Sequence, residues 1–312
     1  MVTCQKCGSA EAEVHLKYAR LHLCKKCFQE YYVQRVKRTV KEFKMFREND
    51  KVGVAVSGGK DSAALLHSLR KAFPNLKLVA LYVNLGIPKY SEHCQEKAEA
   101  LTEQLNIKLH VFNLKEETGV VLSDFLKTIY KRRICSVCGT IKRHAFEELA
   151  QRVNVKILAT GHNLEDIVGI MLNNFFSRQW NQLVRLKPVL QPFTSNLTLK
   201  VKPLIKTPER ESLLYCIYAK IPFREINCPY MHGTKTKENL EILETFSKRN
   251  PHFKHQALNT FLKLIPLLEE KIEKPKVVPC KICGFPSING ICAYCKRMIL
   301  ARKTSKPQDK DV

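Results

Sequence analysis

A short loop of phosphate-binding character stands early in the chain, at residues 57–62. It reads Ser-Gly-Gly-Lys-Asp-Ser and follows an apolar segment that ends at Val56. Two glycines let backbone amides approach a ligand without an intervening Cβ, and a helix N-terminus behind the loop favours an anion. Ser57 and Ser62 add hydroxyl donors, and Lys60 adds a positive charge. The loop is therefore predicted to cradle phosphate groups, although it lacks the four-residue spacer between glycines of a Walker loop.

Cysteines in C-x-x-C pairs form the second chemical feature, among 13 cysteines in all. Such pairs are typical of tetrahedral zinc sites, because two thiolates at this spacing bind one ion from a tight turn. Two zinc ions are predicted, one at each end of the chain, bound by Cys4, Cys7, Cys24 and Cys27 and by Cys280, Cys283, Cys292 and Cys295. His15 and His22 are alternative ligands, but with four cysteines present they are interpreted as surface histidines.

A third pair, Cys135 and Cys138, stands alone in mid-chain. Two thiolates are too few for a closed zinc site, and Cys228, in a loop before a proline, is a candidate to join them. Basic residues that would lower thiol pKa values surround the pair: Lys131, Arg132, Arg133, Lys142 and Arg143. Cys94 and Cys216 are predicted to be small buried apolar residues.

The charge balance predicts a polyanionic partner. Lysine and arginine number 53 against 29 acidic residues, a formal net charge of +24. Nucleic acid is the first expectation and an anionic membrane surface the second. No apolar run approaches the roughly 20 residues of a membrane helix, and early cysteines and basic residues argue against a signal peptide. Reduced thiols, and so a cytoplasmic location, are expected.

The elements between the cysteine sets alternate strand and helix, which predicts an α/β fold with a parallel sheet. Ligands of such sheets bind outside the carboxyl ends of the strands, where the phosphate loop stands. Ser91 and Thr207 are predicted to cap helices. The predicted strands are Lys51 to Val56, Leu78 to Val83, Leu109 to Phe112 and Ile157 to Ala159.

Four segments are predicted along the chain. Residues 1–30 form an N-terminal Cys4 module, 31–48 a basic linker helix, 49–275 the α/β domain, and 276–312 a C-terminal Cys4 module with a basic tail. In the linker helix, Val36, Val40 and Phe43 define an apolar stripe. Its basic residues, Arg35, Lys37, Arg38, Lys41 and Lys44, either face RNA phosphates or form a solvated surface, and both alternatives stay open.

Four motifs in this order resemble a known family. The loop at residues 57–62 after a first buried strand resembles the pyrophosphate (PP) loop of the N-type ATP pyrophosphatases. The segments CSVCGTIKR at 135–143, ATGHNLED at 159–166 and NCPY at 227–230 resemble the tRNA 2-thiouridine synthases, which act on the T-loop or on the wobble uridine. The resemblance extends over essentially the whole chain, including both end modules.

This resemblance implies roles for individual residues. It places a [4Fe-4S] cluster on Cys135, Cys138 and Cys228, and catalytic roles, one of them through Mg²⁺, on Asp61, Lys142 and Asp166. For Lys142 and Asp166, the alternative of an ordinary surface charge stays open. Where family members carry two aspartates this chain has Glu165-Asp166, so the resemblance assigns a role to Asp166 and none to Glu165. The residues that the resemblance assigns to ATP are Val56, Ser57, Gly58, Gly59, Lys60, Asp61, Ser62, Val83, Gly161 and His162.

The implied activity is adenylation of the uridine C2 oxygen by ATP, followed by sulfur transfer. The resemblance also implies a tRNA substrate, a ubiquitin-like sulfur-carrier protein as donor and a homodimer. Three alternatives stay open at this point. A cluster-free persulfide mechanism would use Cys135 and Cys228 as nucleophiles, a zinc-dependent RNA-binding protein would lack catalysis, and another ATP pyrophosphatase would act on a small substrate.

Overall fold

The N-terminal module is a small antiparallel ribbon that leads directly into a long helix. A computed structural model describes residues 2–231, 235–273 and 275–305. In it, β1 (Val14–Leu16) pairs with β2 (Leu21–Leu23) across a 3-10 turn at Lys17–Ala19. Helix α1 (Lys25–Glu42) has Cys24 as its N-cap. The helix predicted over 31–48 therefore begins earlier, inside the cysteine module, and ends earlier.

A six-stranded sheet forms the centre of the molecule. Its order is β5-β4-β3-β6-β8-β7, and every neighbouring pair is parallel except β7 with β8. The predicted α/β fold with a mainly parallel sheet is confirmed, and the last two strands were not predicted. The strands are β3 (Lys51–Val56), β4 (Lys77–Asn84), β5 (Leu109–Asn113), β6 (Ile157–Thr160), β7 (Val189–Leu190) and β8 (Leu199–Val201).

The order of the strands creates a crevice at the carboxyl edge of the sheet. From β3 the chain moves outward through β4 and β5, then returns to place β6 on the other side of β3. At such a switch point, the loops after the two diverging strands separate and leave a crevice at the carboxyl edge of the sheet. The loops after β3 and β6 carry the phosphate-loop residues and Gly161, so both predicted ATP segments meet there.

Helices cover both faces of the sheet. The helices between α1 and the C-terminal module are α2 (Lys60–Ala72), α3 (Tyr90–Gln104), α4 (Leu114–Thr118), α5 (Ile134–Arg152), α6 (Leu164–Phe176), α7 (Trp180–Leu183), α8 (Glu209–Tyr218), α9 (Lys235–Arg249) and α10 (Phe253–Glu269), with 3-10 turns at Leu122–Lys127, Lys131–Arg133 and Val184–Leu186. Apolar residues of α1, α2, α3 and α8 pack on one face of the sheet, and those of α5 pack on the other. Helices α6, α9 and α10 form a third apolar cluster beside the sheet.

Two predicted helix caps are wrong. Helix α3 is capped by Lys89, whose backbone amide binds the Glu92 carboxylate at 3.2 Å. Ser91 therefore lies within the first turn, where its Oγ accepts from the amide of Ile87. Helix α8 has Pro208 as its N-cap, and the Thr207 hydroxyl is buried without a hydrogen-bond partner in the described part of the protein.

The C-terminal module consists of β9 (Val278–Pro279), β10 (Pro286–Ser287) and α11 (Ala293–Ser305). Met298 and Ala301 of α11 are buried in the same apolar cluster as residues of α5, so the module packs on the central α/β domain. The end of the predicted basic tail, residues 306–312, lies outside the described residues. Within the described ranges, no helix combines the length and the apolar character needed to cross a membrane.

Arg35 does not belong to a basic surface. Its side chain is buried, and Nη1 donates to the Glu211 carboxylate of α8 at 3.0 Å. Nη2 donates to the hydroxyls of Tyr18 and Tyr31. Both alternatives for the basic residues, facing RNA or forming a solvated surface, are therefore wrong for Arg35, because this buried arginine joins α1 to the central domain. Arg38, Lys41 and Lys44 are exposed.

Candidate active site

The phosphate loop connects the end of β3 to the start of α2, with Gly59 as the N-cap of the helix. Ser62 Oγ accepts from the Ser57 amide and donates to the Gly59 carbonyl, both at 3.0 Å, and these bonds close the loop on itself. Gly58 has φ +74°, and a Cβ at that position would lie 2.6 Å from the Cys94 carbonyl oxygen. The loop is therefore a preformed cradle that follows the buried Val56 and packs tightly against α3.

Lys60 and Asp61 are already paired at the start of α2. Lys60 Nζ lies 2.9 Å from Asp61 Oδ2 and 2.6 Å from Glu209 Oε1. Although burial opposes the charged form of Lys60, these two carboxylates raise its pKa. Asp61 Oδ1 is buried and has no hydrogen-bond partner among the described residues. An orphaned carboxylate oxygen beside a phosphate cradle is a suitable ligand for Mg²⁺.

The loop after β6 meets the phosphate loop directly. A Cβ on Gly161 would lie 2.9 Å from the backbone nitrogen of Ser62, so a glycine is required for this approach. The next residue, His162, shares a 2.8 Å hydrogen bond between its Nδ1 and Thr160 Oγ1. Val83, another predicted ATP residue, lies near the carboxyl end of the neighbouring β4. The structure thus brings the predicted ATP residues to one edge of the sheet.

Asp166 lies near the phosphate loop and also caps the start of α6. Its amide donates to Asn163 Oδ1 at 2.9 Å, and Asp166 Oδ2 accepts from the Asn163 amide, which completes a capping box at the start of α6. Burial raises the pKa of Asp166 to about 6, and the nearby carboxylates of Asp61 and Glu209 contribute in the same direction. This carboxyl group therefore loses its proton at a higher pH than an ordinary aspartate does.

Glu165, which stands where family members carry an aspartate, contacts other protein groups. Its Oε2 accepts from the Glu209 amide at 2.8 Å, and its Oε1 pairs with Lys254 Nζ at 2.8 Å. Because Glu209 in turn binds Lys60, Glu165 holds the start of α8 beside the phosphate loop. Glu209 itself was missed in the sequence, since only the fold brings the start of α8 to Lys60.

The three mid-chain cysteines come into one neighbourhood. Cys135 and Cys138 lie on the first turns of α5, and Cys135 Sγ is 3.7 Å from the carbonyl oxygen of Tyr230, two residues after Cys228. Cys138 and Cys228 pack against the same apolar cluster. Burial raises the pKa of Cys138 although Lys142 acts against it, so the predicted lowering is wrong for this thiol.

The spacing of these cysteines differs from that of the end modules. In the described parts of the chain, the sets whose ligand atoms all lie within 4.8 Å of one another are the two Cys4 groups. Cys135, Cys138 and Cys228 are not such a set, which argues against a single tetrahedral ion. A cluster with a separate iron for each thiolate accepts wider spacing, so these residues fit a [4Fe-4S] cluster better than a zinc ion.

Both end modules hold their four sulfurs close together, as predicted. Backbone amides point at several of them: the Cys27 amide lies 3.5 Å from Cys24 Sγ, and the Cys292 amide lies 3.3 Å from Cys280 Sγ. Such N–H···S bonds stabilise thiolates in metal knuckles. Cys94 and Cys216, predicted to be apolar core residues, are both buried.

Arg224 is a site residue that sequence reasoning missed. Its amide donates to the Gly58 carbonyl at 2.7 Å, and its guanidinium lies 5.3 Å from the centre of the Tyr90 ring. A Cβ on Gly59 would be 3.4 Å from Arg224 Nε, an atom that is buried without a partner in the described protein. The signal available in the sequence was its position four residues before Cys228.

Comparisons with known proteins agree with this geometry. A family profile described as PP-loop domain matches residues 30–227, and the profile of the 2-thiouridine synthetase TtuA N-terminal LIM domain matches residues 3–29. The tRNA-5-methyluridine(54) 2-sulfurtransferase of Pyrococcus horikoshii is 34% identical over 94% of this chain and 92% of that protein. The protein of the same name from Thermotoga maritima is 33% identical over 97% of this chain and 99% of that protein.

A solved structure is similar over almost the whole length. The U34-tRNA thiolase NcsA from Methanococcus maripaludis, determined with its [4Fe-4S] cluster, superposes with a TM-score of 0.79. The two sequences are 28% identical, and the match covers 95% of each chain. The similarity therefore includes both end modules as well as the central sheet.

Proposed function

Since the chain belongs to the PP-loop family of 2-thiouridine synthetases, we propose that it is an ATP-dependent tRNA 2-sulfurtransferase. The reaction takes uridine in tRNA, ATP and a sulfide equivalent to 2-thiouridine, AMP and pyrophosphate. One observation carries the proposal. The segment that bears Cys228 is hydrogen-bonded to the phosphate loop, from the Arg224 amide to the Gly58 carbonyl at 2.7 Å, which supports one crevice for the predicted ATP and sulfur sites.

Adenylation is the first step of the proposed reaction. The uridine O2 attacks the α-phosphorus of ATP, a P–O bond forms, and the bond to pyrophosphate breaks with its electron pair leaving on oxygen. The loop amides, the N-terminus of α2 and Lys60 stabilise the negative charge of the departing pyrophosphate. Lys60 must exchange part of its pairing with Asp61 and Glu209 for contact with phosphate.

Sulfur transfer is the second step. A sulfur nucleophile attacks C2 of the adenylated base, and the C2–O bond breaks with release of AMP. Lys142, half-buried on α5 one turn beyond Cys138, is placed to neutralise negative charge near the thiols. Cys135, Cys138 and Cys228 would hold the [4Fe-4S] cluster, which supplies an iron position open to sulfur when bound.

The remaining cofactors and partners are assigned on chemistry and family. Asp61 would bind Mg²⁺ through its orphaned Oδ1, and each Cys4 group would hold one Zn²⁺. The ubiquitin-like sulfur carrier, the homodimer and the cytoplasmic location stay predictions. The relatives with 33–34% identity are named for position 54, whereas the solved thiolase with 28% identity is named for U34, so we expect thiolation at position 54.

An anaerobic assay tests the proposal. The reconstituted protein is incubated with unmodified tRNA, Mg²⁺-ATP and sulfide, and the digested tRNA is analysed by mass spectrometry. We expect a 2-thiouridine-type nucleoside in the T-loop, with AMP formed in equal amount. A product at the wobble position would keep the chemistry and change the target. Absence of any product, with sulfide and also with a thiocarboxylated carrier, would refute the synthase assignment.

Two variants separate the alternatives. Asp61→Asn removes the carboxylate that is expected to bind Mg²⁺ beside the phosphates, so it should abolish AMP formation while tRNA binding persists. A non-catalytic RNA-binding protein would show no AMP formation in the unmodified protein either. Cys228→Ser should abolish thiolation in the cluster mechanism and the persulfide mechanism alike. Activity that survives removal of iron, measured on the same protein before and after reconstitution, would favour the persulfide mechanism.

A further inference from the structure

A groove between the C-terminal module and the catalytic domain carries a cluster of arginines. Arg143 of α5 and Arg185, which follows α7, line the same cavity of about 360 Å³. Arg297 of α11 approaches from the side, since its Nη1 and Arg143 Nη2 both donate to Thr140 Oγ1. Three guanidinium groups from three elements therefore converge on one place.

These arginines lack acidic partners in the described protein. None of the three appears in an ion pair there, and the hydrogen bonds of Arg143 and Arg297 go to hydroxyl and carbonyl oxygens. The carboxylate that lines the groove, Glu147, is already engaged by Lys200 and by the Thr198 amide at 2.9 Å. The pKa of Arg143 is lowered by surrounding protein atoms and then by the charges of Arg297 and Arg185. Like charges held together without a counter-ion create a positive potential that attracts an anion.

An exposed aromatic ring adds a second element of recognition. Phe193 lines the groove, is 42% exposed, and has the Arg185 guanidinium 4.7 Å from its ring centre. An open ring beside arginines is the combination on which an unpaired base stacks while its phosphate meets the cation. A protein tail ending in one carboxylate would use a single charge and would not need the ring.

The groove lies next to the sulfur chemistry. Arg297 Nη1 donates to the Ser136 carbonyl at 2.8 Å, and Ser136 stands between Cys135 and Cys138. Thr140, which lines the groove, lies two residues after Cys138 on α5, and Arg143 lies five residues after it. A strand of RNA in the groove would therefore pass within one helical turn of the cysteines.

We infer that this groove binds the sugar–phosphate backbone of the tRNA next to the target uridine, with Arg143 and Arg185 on phosphates and Phe193 under a base. Arg297 positions the Ser136–Thr140 turn and adds charge. The inference rests on the proposed function, because a 2-thiolating enzyme must hold a single-stranded nucleotide out of its stack.

Binding of a fluorescently labelled tRNA transcript to the full-length protein, measured by anisotropy at several salt concentrations, tests the inference. Arg185→Ala should weaken binding roughly tenfold, as expected for one charged hydrogen bond, and lower the log–log salt slope by about 0.7–0.9. Phe193→Leu should weaken binding at unchanged slope, and Phe193→Tyr should restore it. Arg249→Ala, which removes an exposed arginine of α9, is the matched control and should bind like the unmodified protein.

The outcomes separate this inference from the proposed function. If the unmodified protein thiolates tRNA and Arg185→Ala binds tRNA as Arg249→Ala does, the groove assignment is wrong and the function stands. If the unmodified protein neither binds nor thiolates tRNA, both fail. If Arg185→Ala keeps its tRNA affinity but loses only sulfur transfer from a thiocarboxylated carrier, the groove belongs to the carrier tail and the RNA assignment is overturned. ATP affinity, measured in parallel, confirms that each variant is folded.

Discussion

Gly58→Ala tests whether the phosphate loop depends on its contact with α3. Gly58 has φ +74°, and an added Cβ would lie 2.6, 2.8 and 2.9 Å from the O, Cα and Cβ atoms of Cys94. The left-handed conformation costs alanine about 1–2 kcal/mol. Overpacking against the buried backbone of α3 adds about 1–3 kcal/mol. The expected cost of the substitution is therefore about 2–5 kcal/mol. It should appear either as a lower free energy of unfolding or as displacement of the loop.

A second glycine separates the two contributions. Gly119, the C-cap of α4, has φ +70° and nothing within 4 Å of an added Cβ. Gly119→Ala should show the conformational term alone and leave ATP binding unchanged. Urea denaturation gives the free energy of unfolding, and titration calorimetry gives the ATP affinity. If the two variants lose equal stability and both bind ATP normally, the contact with Cys94 does not shape the cradle.

Three further changes follow from buried or crowded charges. Arg224→Ala should weaken ATP binding about tenfold while AMP binding changes little, because we expect the guanidinium over Gly59 to meet the pyrophosphate portion; equal losses for ATP and AMP would contradict this. Arg35→Met should lower the free energy of unfolding, measured in urea, by about 3–5 kcal/mol, since Glu211 is left buried without its cation. Adding Glu211→Gln to that variant removes the unpaired charge and should restore part of the lost stability. For Asp166, whose pKa is raised by burial to about 6, the folded state binds more protons than the unfolded state from pH 4 to 6. The free energy of unfolding of the unmodified protein, relative to that of Asp166→Asn, should therefore fall by on the order of 1–3 kcal/mol as pH rises from 4 to 7. A difference between the two proteins that does not change with pH would show that the carboxyl is not perturbed.

Short-range chemistry was readable from the sequence. The local structures of the Ser57–Ser62 loop and of the C-x-x-C pairs were predicted correctly, because each motif is formed by residues only a few positions apart. The strands β3, β4, β5 and β6 were also predicted from local sequence, since a buried parallel strand is a short apolar run between turn residues. The short strands β7 and β8 were missed because two or three residues carry too little periodicity to be detected.

Long-range contacts were decided by the tertiary structure. Arg35 looked like a surface cation on its helix, yet it lies buried against Glu211, 176 positions away. Glu209 and Arg224 reach the phosphate loop only because the sheet places residue 58 beside segments more than 140 positions later. Burial also reversed the predicted direction of the Cys138 pKa. Sequence spacing determines which groups are present, whereas charge, pKa and partner depend on the environment that distant segments create.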